Sequence, residues 1–363
     1  MIQKYNYTKK ILIYTGLIIL LASCKKDIQY QNNPLILNKK SLSGQYILGI
    51  TKSGGQVALF KESNTDTNWL IYNGDIAIRK EKITPIKTYN KIDGDILKEI
   101  DSLKEKYQNS RFASVNPMQP PDNLPPLIDT GFNIVRNAIL WPNNRVKISI
   151  SPDFNIQKQQ MIFNAIHEWT SNTNIEIAIY PFQPREPGVT EIVLDPDPVE
   201  AWTSPGANNH PDWGAMHLGA SVGQHVIIHE LGHAIGFSHE HQRPCRNEYL
   251  IIDTAIFHII DAHFPYLTTR LRSSILAFDP VHNDDFRFDY NSIMIYESYG
   301  GRPIPFGNEA PGNPLRTFLI RRNNPMFVRL DNGGIIDDIS TLSILDIQRT
   351  NRVYPALQPR AVK

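Results

Sequence analysis

Residues 229–244 read HELGHAIGFSHEHQRP, with four histidines and two glutamates on one short run. His229 and His233 stand four residues apart, so on a helix both imidazoles leave one face, about 6 Å apart along the axis, and can reach one cation. Glu230 is turned one residue away, where its carboxylate can address a water on that cation without ligating it, the position of a general base. Gly236 is where the helix stops, because glycine takes the left-handed backbone used at helix ends, and the turn lets His239 swing back as a third ligand. Three neutral imidazoles and a water make an open tetrahedral zinc site of the catalytic kind. A closed structural site wants a fourth protein ligand, usually Cys, and no cysteine has suitable spacing. His217, His225 and His241 lack such a relation and read as surface or core histidines.

Outward from this run the chain reads as α+β. SVGQHVIIHELGHAIGF (221–237) is the helix that carries the first two histidines. Ile162, Ala165, Ile166 and Trp169 follow i, i+3, i+4, i+7 spacing, which predicts an amphipathic helix over about 156–170. VKISI before it, and IEIAIY and EIVL after it, read as strands. Further upstream, QYILGI, QVALF, WLIY and DIAI are short β-like runs, and Ile96, Ile100, Leu103 and Tyr107 mark one helix. The stretch NPMQPPDNLPPLID (116–129) is too rich in proline for a helix and reads as a stiff linker.

The N-terminus is a targeting segment. Lys4, Lys9 and Lys10 precede an apolar run, Ile11 to Leu21, that is too short for a comfortable membrane span. It closes in Leu21-Ala22-Ser23-Cys24, which resembles the bacterial lipobox. That resemblance implies a lipidated Cys24, export, and attachment to the cell envelope at the outer membrane or cell surface. Only one other cysteine exists, Cys245, so no intramolecular disulfide is available once Cys24 is acylated, and Cys245 is expected as a partly buried thiol. A formal net charge of +1 and the absence of a basic patch with interleaved aromatics argue against a nucleic-acid partner.

HELGHAIGFSHEHQRP extends the two-histidine motif with fixed Gly236 and His239, and DYNSIMIY (289–296) follows downstream. With LWP (140–142), AWTSPG (201–206) and LSILDIQRTNRVYP (342–355), these stretches resemble the astacin family of zinc endopeptidases within the metzincin clan. The resemblance covers most of 137–355 and implies a two-lobed catalytic domain with a twisted mixed sheet and an active-site helix, preceded by a small α+β pro-segment. It divides the chain into a signal peptide (1–23), a pro-segment with linker (24–136) and a catalytic domain (137–363).

By the same resemblance the protein hydrolyses peptide bonds, with Zn(2+) held by His229, His233 and His239 and Glu230 as the base. Tyr296 is then a further ligand that moves to the oxyanion, Met294 the floor of the Met-turn, and Glu240 the receiver of a new N-terminus. Tyr72, Gly74 and Asp75 match the F-x-G-D segment of family pro-segments, whose aspartate plugs the metal and keeps the enzyme latent. Locally, Asn73-Gly74 between apolar runs also signals a hairpin turn. The implied partners are a peptide or protein substrate, the chain's own pro-segment, and the membrane through Cys24. Substrate is expected along an edge strand near Glu191 to Leu194, and processing between the linker and Leu140, with the bond after Arg136 the most basic choice. The chain departs from the family in lacking its disulfide partners and in carrying Ile295, Cys245 and Asn247 where other residues are common. A binding lipoprotein on an inactive protease scaffold is the alternative, although Glu230 and the three histidines are all present. A thermolysin-like arrangement would need Glu248 as third ligand, which sits badly beside the loop.

Overall fold

The computed structural model describes residues 45–51, 57–63, 68–72, 75–90, 99–100, 102–103, 139–198, 200–207, 213–263, 275, 288–299, 314–337 and 339–357. The expectations for Cys24, Gly74, the linker 116–129 and Arg136 fall outside these residues. Residues 42–363 belong to one compact unit, so the upstream strands and the histidine-bearing half share a single body.

The four upstream runs form strands β1 (Tyr46–Thr51), β2 (Val57–Glu62), β3 (Trp69–Tyr72) and β4 (Ile76–Arg79). A fifth, β5 (Ile83–Tyr89), was not among those expected. Pro85 interrupts it, and proline is confined to edge strands, which is where β5 lies. Neighbours in this group pair antiparallel, and β3 and β4 form a hairpin with Tyr72 opposite Ile76 and Trp69 opposite Arg79. Strand alternation sorts the apolar residues into two small cores. Ile47, Phe60, Leu70, Ile76 and Ile83 fill one, and Leu48, Leu59, Tyr89 and the helical Ile100 the other.

The downstream half contributes β6 (Arg145–Ile150), α1 (Ile156–Asn172), β7 (Glu176–Tyr180), β8 (Thr190–Asp195), β9 (Ala201–Thr203), β10 (Gly214–Gly219) and α2 (Gln224–Ile235). All described large-sheet strands lie in the order β5-β1-β2-β3-β4-β9-β10-β8-β6-β7. Strands β10, β8, β6 and β7 run parallel, β9 is antiparallel to β10, and β4 joins β9 in parallel through one pair, Ile76 with Thr203.

The first three residues of AWTSPG form β9. One expectation is corrected here. Glu191 to Leu194 is not an edge, because β8 is hydrogen-bonded to β10 on one side and β6 on the other. The strand at which the downstream half ends is β9, and there the upstream β3–β4 hairpin is attached.

One face of the downstream sheet packs on both helices, with Val146, Ile148, Ile192, Met216 and Leu218 in the same core as Ile162, Ala165, Ile166 and Trp169 of α1. Asn155 caps α1 by accepting the Lys158 N–H at 2.8 Å. The Trp169 indole donates to the Ile228 carbonyl of α2 at 2.9 Å, fixing one helix on the other. The chain continues through β11 (Leu250–Ile252), α3 (Ile256–His263), α4 (Pro314–Arg322), β12 (Phe327–Arg329, paired with β11) and α5 (Ile344–Val353). A capping box of Ser343 and Asp346 starts α5, and Tyr354 at its end donates to the Ile235 carbonyl at 2.7 Å. No described helix is long and apolar enough to cross a membrane.

Candidate metal centre and active site

From Val226 onward helix α2 is apolar nearly all round and sits in the core, so the polar residues there are fully buried: His229, Glu230 and His233 are each 0% exposed. It ends at Gly236, whose φ of 123° lies where side chains are strained. The Gly236 N–H reaches back to the carbonyls of Gly232 and His233, and the Phe237 N–H to that of Gly232. This reversal brings His239, also 0% exposed, up to the other two histidines. Beneath them lies Met294, against Gly232, where a Cβ would meet the Met294 sulfur at 2.3 Å. Sequence reading did not single out Gly232, because its contact lies sixty-odd residues away on the Met-turn.

The three Nε2 atoms converge, with those of His229 and His239 3.3 Å apart. His229 donates from Nδ1 to the Ile293 carbonyl at 2.7 Å and His233 from Nδ1 to the Phe237 carbonyl at 2.7 Å. Burial, acting against the neighbouring Asp75 carboxylate, brings the His229 pKa down to about 4. With its single proton on Nδ1, neutral His229 turns a lone pair inward.

Asp75 enters the same point from the β3–β4 turn. It is 0% exposed, and its carboxylate lies 3.0 Å from His239 Nε2, 3.3 Å from His229 Nε2 and 3.3 Å from His233 Nε2. The hairpin and the plug are therefore one feature, since the turn itself carries the aspartate. Tyr296 donates its hydroxyl to the same carboxylate at 3.2 Å.

Lone pairs facing lone pairs and a carboxylate in a dry site repel one another unless a cation lies between them. Ligands held at about 2.0 Å in a tetrahedron are about 3.3 Å apart, which is the spacing of these atoms. Asp75, His229, His233 and His239 are the group among the described residues suited to a metal, and nitrogen and carboxylate donors in this number suit Zn(2+).

Glu230 projects from α2 beside this cluster without joining it. Thr203 on β9 donates to its Oε2 at 2.6 Å, a partner that sequence reading missed because the two residues are joined only through the fold. The same Thr203 gives its backbone N–H to the Asp75 carbonyl at 2.9 Å.

Glu240 is not a surface carboxylate: it is 2% exposed, and its oxygens accept from Arg243 at 2.9 Å, Arg349 at 3.1 Å and the Asp289 N–H at 2.8 Å. Below the Met-turn, Asp346 accepts from Ser292 at 2.6 Å and from the Ile293 N–H at 2.8 Å. Burial, with the neighbouring Asp289, pushes its pKa up to about 7.

Two further buried histidines, His241 and His217, lie against aromatic rings outside the cluster. His241 is buried between Tyr296 and Phe327, with ring centroids 4.3 Å and 6.1 Å away, and His217 stacks on Trp202 at 4.0 Å while pairing with Asp195 at 3.2 Å. Cys245 is a half-buried reduced thiol.

A family model described as Astacin, a family of peptidases, matches residues 133–306. Astacin-like metalloprotease toxin 5 of Loxosceles gaucho is 33% identical over 164 residues, covering 44% of this chain and 78% of that protein. Astacin-like metalloprotease toxin 1 of Loxosceles intermedia is 29% identical over 236 residues, covering 62% of this chain and 77% of that one. Among solved structures, High choriolytic enzyme 1, a hatching enzyme zinc-protease from Oryzias latipes, aligns at 17% identity with a TM-score of 0.43, over 66% of this chain and 98% of that chain.

Proposed function

Since the chain belongs to the astacin family and is a zinc-dependent metalloendopeptidase acting on peptides or proteins, we propose that it is made as a zymogen, latent through Asp75 and working through Glu230 and Tyr296. His229, His233, His239 and Asp75 would hold the metal in the latent form, with the Tyr296 hydroxyl beside it on the Asp75 carboxylate. Zinc in that cluster supplies Lewis-acid polarisation of the scissile carbonyl and an acidified water.

Glu230 takes the proton of the attacking water and returns it to the leaving amine. The Thr203 hydroxyl, 2.6 Å from Glu230 Oε2, fixes that carboxylate's rotamer. Tyr296, once its hydroxyl is released from Asp75, donates to the developing oxyanion. The substrate adds to β9 in place of β4, through main-chain hydrogen bonds such as the one Thr203 now gives to Asp75.

The observation that carries latency is the position of the Asp75 carboxylate, 3.0–3.3 Å from all three imidazoles and sealed from solvent. While it is there neither a water nor a substrate carbonyl can enter. Activation then needs cleavage between the proline-rich linker and Leu140, with the bond after Arg136 the most basic choice, which divides a pro-segment ending near 136 from a catalytic domain starting near 137. Any new N-terminus that approaches Glu240 must join or displace Arg243 and Arg349.

Purified full-length protein is expected to be nearly inactive, and Asp75→Ala to hydrolyse a peptide or process itself sooner; equal latency in both would refute the switch. The lipobox-like sequence supports export and anchoring at Cys24 to the cell envelope. Cys24→Ser should then move the protein out of the membrane fraction, and unchanged partitioning would refute the anchor.

A further inference from the structure

The sheet face turned away from α1 and α2 carries an aromatic surface that the chemistry above does not use. Along β9 and the start of β10, Ala201 and Met216 point into the helix-side core, while Trp202, Trp213 and Ala215 form a separate cluster on the other side. In the uncleaved chain the β3–β4 hairpin covers it. Trp69 lies 5.5 Å from Trp213 and 6.1 Å from Trp202 between ring centroids, and Trp202 and Trp213 are only 1% and 7% exposed.

Between these rings the hairpin places Arg79. Its guanidinium carbon sits 4.6 Å from the Trp69 ring centre and 4.5 Å from that of Trp213. The Arg79 Nε is buried with no hydrogen-bond partner. A position chosen for packing alone would hold an apolar side chain, since an unsatisfied buried donor carries a penalty. A cation between two indole faces is instead attracted by both ring quadrupoles. The face also holds a buried carboxylate, Glu191, opposite Ala215 in the parallel β8–β10 register, where its Oε2 accepts the Arg185 N–H at 2.9 Å; the Arg185 guanidinium carbon stands 5.4 Å from the Trp213 ring centre, a second and more distant cation drawn to the same indole.

We infer that Trp213, with Trp202 beside it, lines a specificity subsite that takes a cationic side chain, arginine ahead of lysine, from the substrate, and that Arg79 fills this subsite before processing. The inference rests on the proposed use of β9 as the strand to which substrate adds. The hairpin strand β4 already lies on β9, so its side chains show what the groove beyond Thr203 accepts. A substrate strand in the same place passes over the same rings. Arginine is favoured over lysine because its planar, weakly hydrated guanidinium stacks on an indole face.

The test uses the full chain activated by limited proteolysis between the linker and Leu140, with the pro-segment removed. Fluorogenic peptide pairs that differ only in Arg or Gln, placed in turn at successive positions on either side of the scissile bond, give a kcat/KM ratio for each position. At one position the Arg:Gln ratio should be about tenfold, the scale of a desolvated cation–π contact. It should fall to near unity in Trp213→Leu and stay intermediate in Trp213→Phe. Because each ratio is taken within one enzyme, partial misfolding cancels. The same peptides are titrated against metal-stripped protein by tryptophan fluorescence, which reads binding without catalysis. A retained Arg:Gln binding ratio without hydrolysis would refute the proposed function and leave the subsite standing. Hydrolysis with no Arg preference at any position, a preference for Leu or Phe at the affected position, or a ratio unmoved by Trp213→Leu would overturn the subsite.

Discussion

Asp75 and His239 meet at 3.0 Å, and each is delivered by a reversal of the chain, yet the two reversals are held in very different ways. His239 follows the Gly236 turn of α2, a helix fixed by Trp169, by Met294 packed into the space at Gly232, and by Tyr354 and Trp141 hydrogen-bonded to its last carbonyls. Asp75 sits on a hairpin that joins the downstream strands through one ladder pair, Ile76 with Thr203, the Thr203 N–H on the Asp75 carbonyl, and one aromatic face. The donor cluster is thus assembled from a part built into the core and a part held by few contacts, the division that the proposed zymogen switch requires: a permanent part and a detachable one.

The sharpest way to break this division is to disable the permanent part alone. Glu230→Gln should keep zinc stoichiometry and the latency of the full-length chain while hydrolysis by the processed enzyme falls about a thousandfold or more, measured with a fluorogenic peptide. Activity near wild type in a clean preparation would remove Glu230 from the mechanism.

Tyr296 touches both parts, so its loss should be felt in both. Tyr296→Phe is expected to lower kcat by roughly a hundredfold with KM little changed, since an oxyanion donor acts in the transition state. It should also loosen the hold on Asp75 by one hydrogen bond. A change confined to KM would make Tyr296 a substrate contact.

The smallest effect concerns pH and belongs to the permanent part only. Burial raises the Asp346 pKa to about 7 from the ordinary carboxyl value of 3.8. A raised carboxyl holds its proton more tightly folded than unfolded, so its contribution is complete below about 4 and is lost as the pH climbs to about 7. Thermal unfolding followed from about pH 4 to about pH 8 should show this decline, worth a few kcal/mol at most. Asp346→Asn should flatten it, whereas Asp75→Ala should leave it in place. An unchanged slope in Asp346→Asn would place the titration elsewhere.

The permanent half was the more legible one in the sequence. Spacing alone brings His229 and His233 to one helix face, and a glycine at 236 explains how His239 returns, because these are relations within a dozen residues. The α1 stripe and the short upstream strands were equally local. What could not be read was every relation that depends on which strands become neighbours. Thr203 on Glu230, Arg349 on Glu240 and Asp346 under Ile293 join residues that are 27, 109 and 53 positions apart. The misplacement of the edge strand has the same origin: β8 looks like any other strand until β10 and β6 are seen on both sides of it. Asp75 was ambiguous between a turn and a ligand because local signals cannot show that one residue does both.

Strand β9 is three residues long, and under the proposed activation, in which the hairpin leaves, it would become the rim of the sheet. An open rim invites pairing with any passing chain, including another copy of the same enzyme, and long flat rims lead to aggregation. A three-residue rim limits that hazard, since it offers too little backbone to hold two molecules together. It still gives a flexible peptide a few main-chain hydrogen bonds before side chains select among candidates, so the brevity of β9 would help a processed enzyme stay monodisperse.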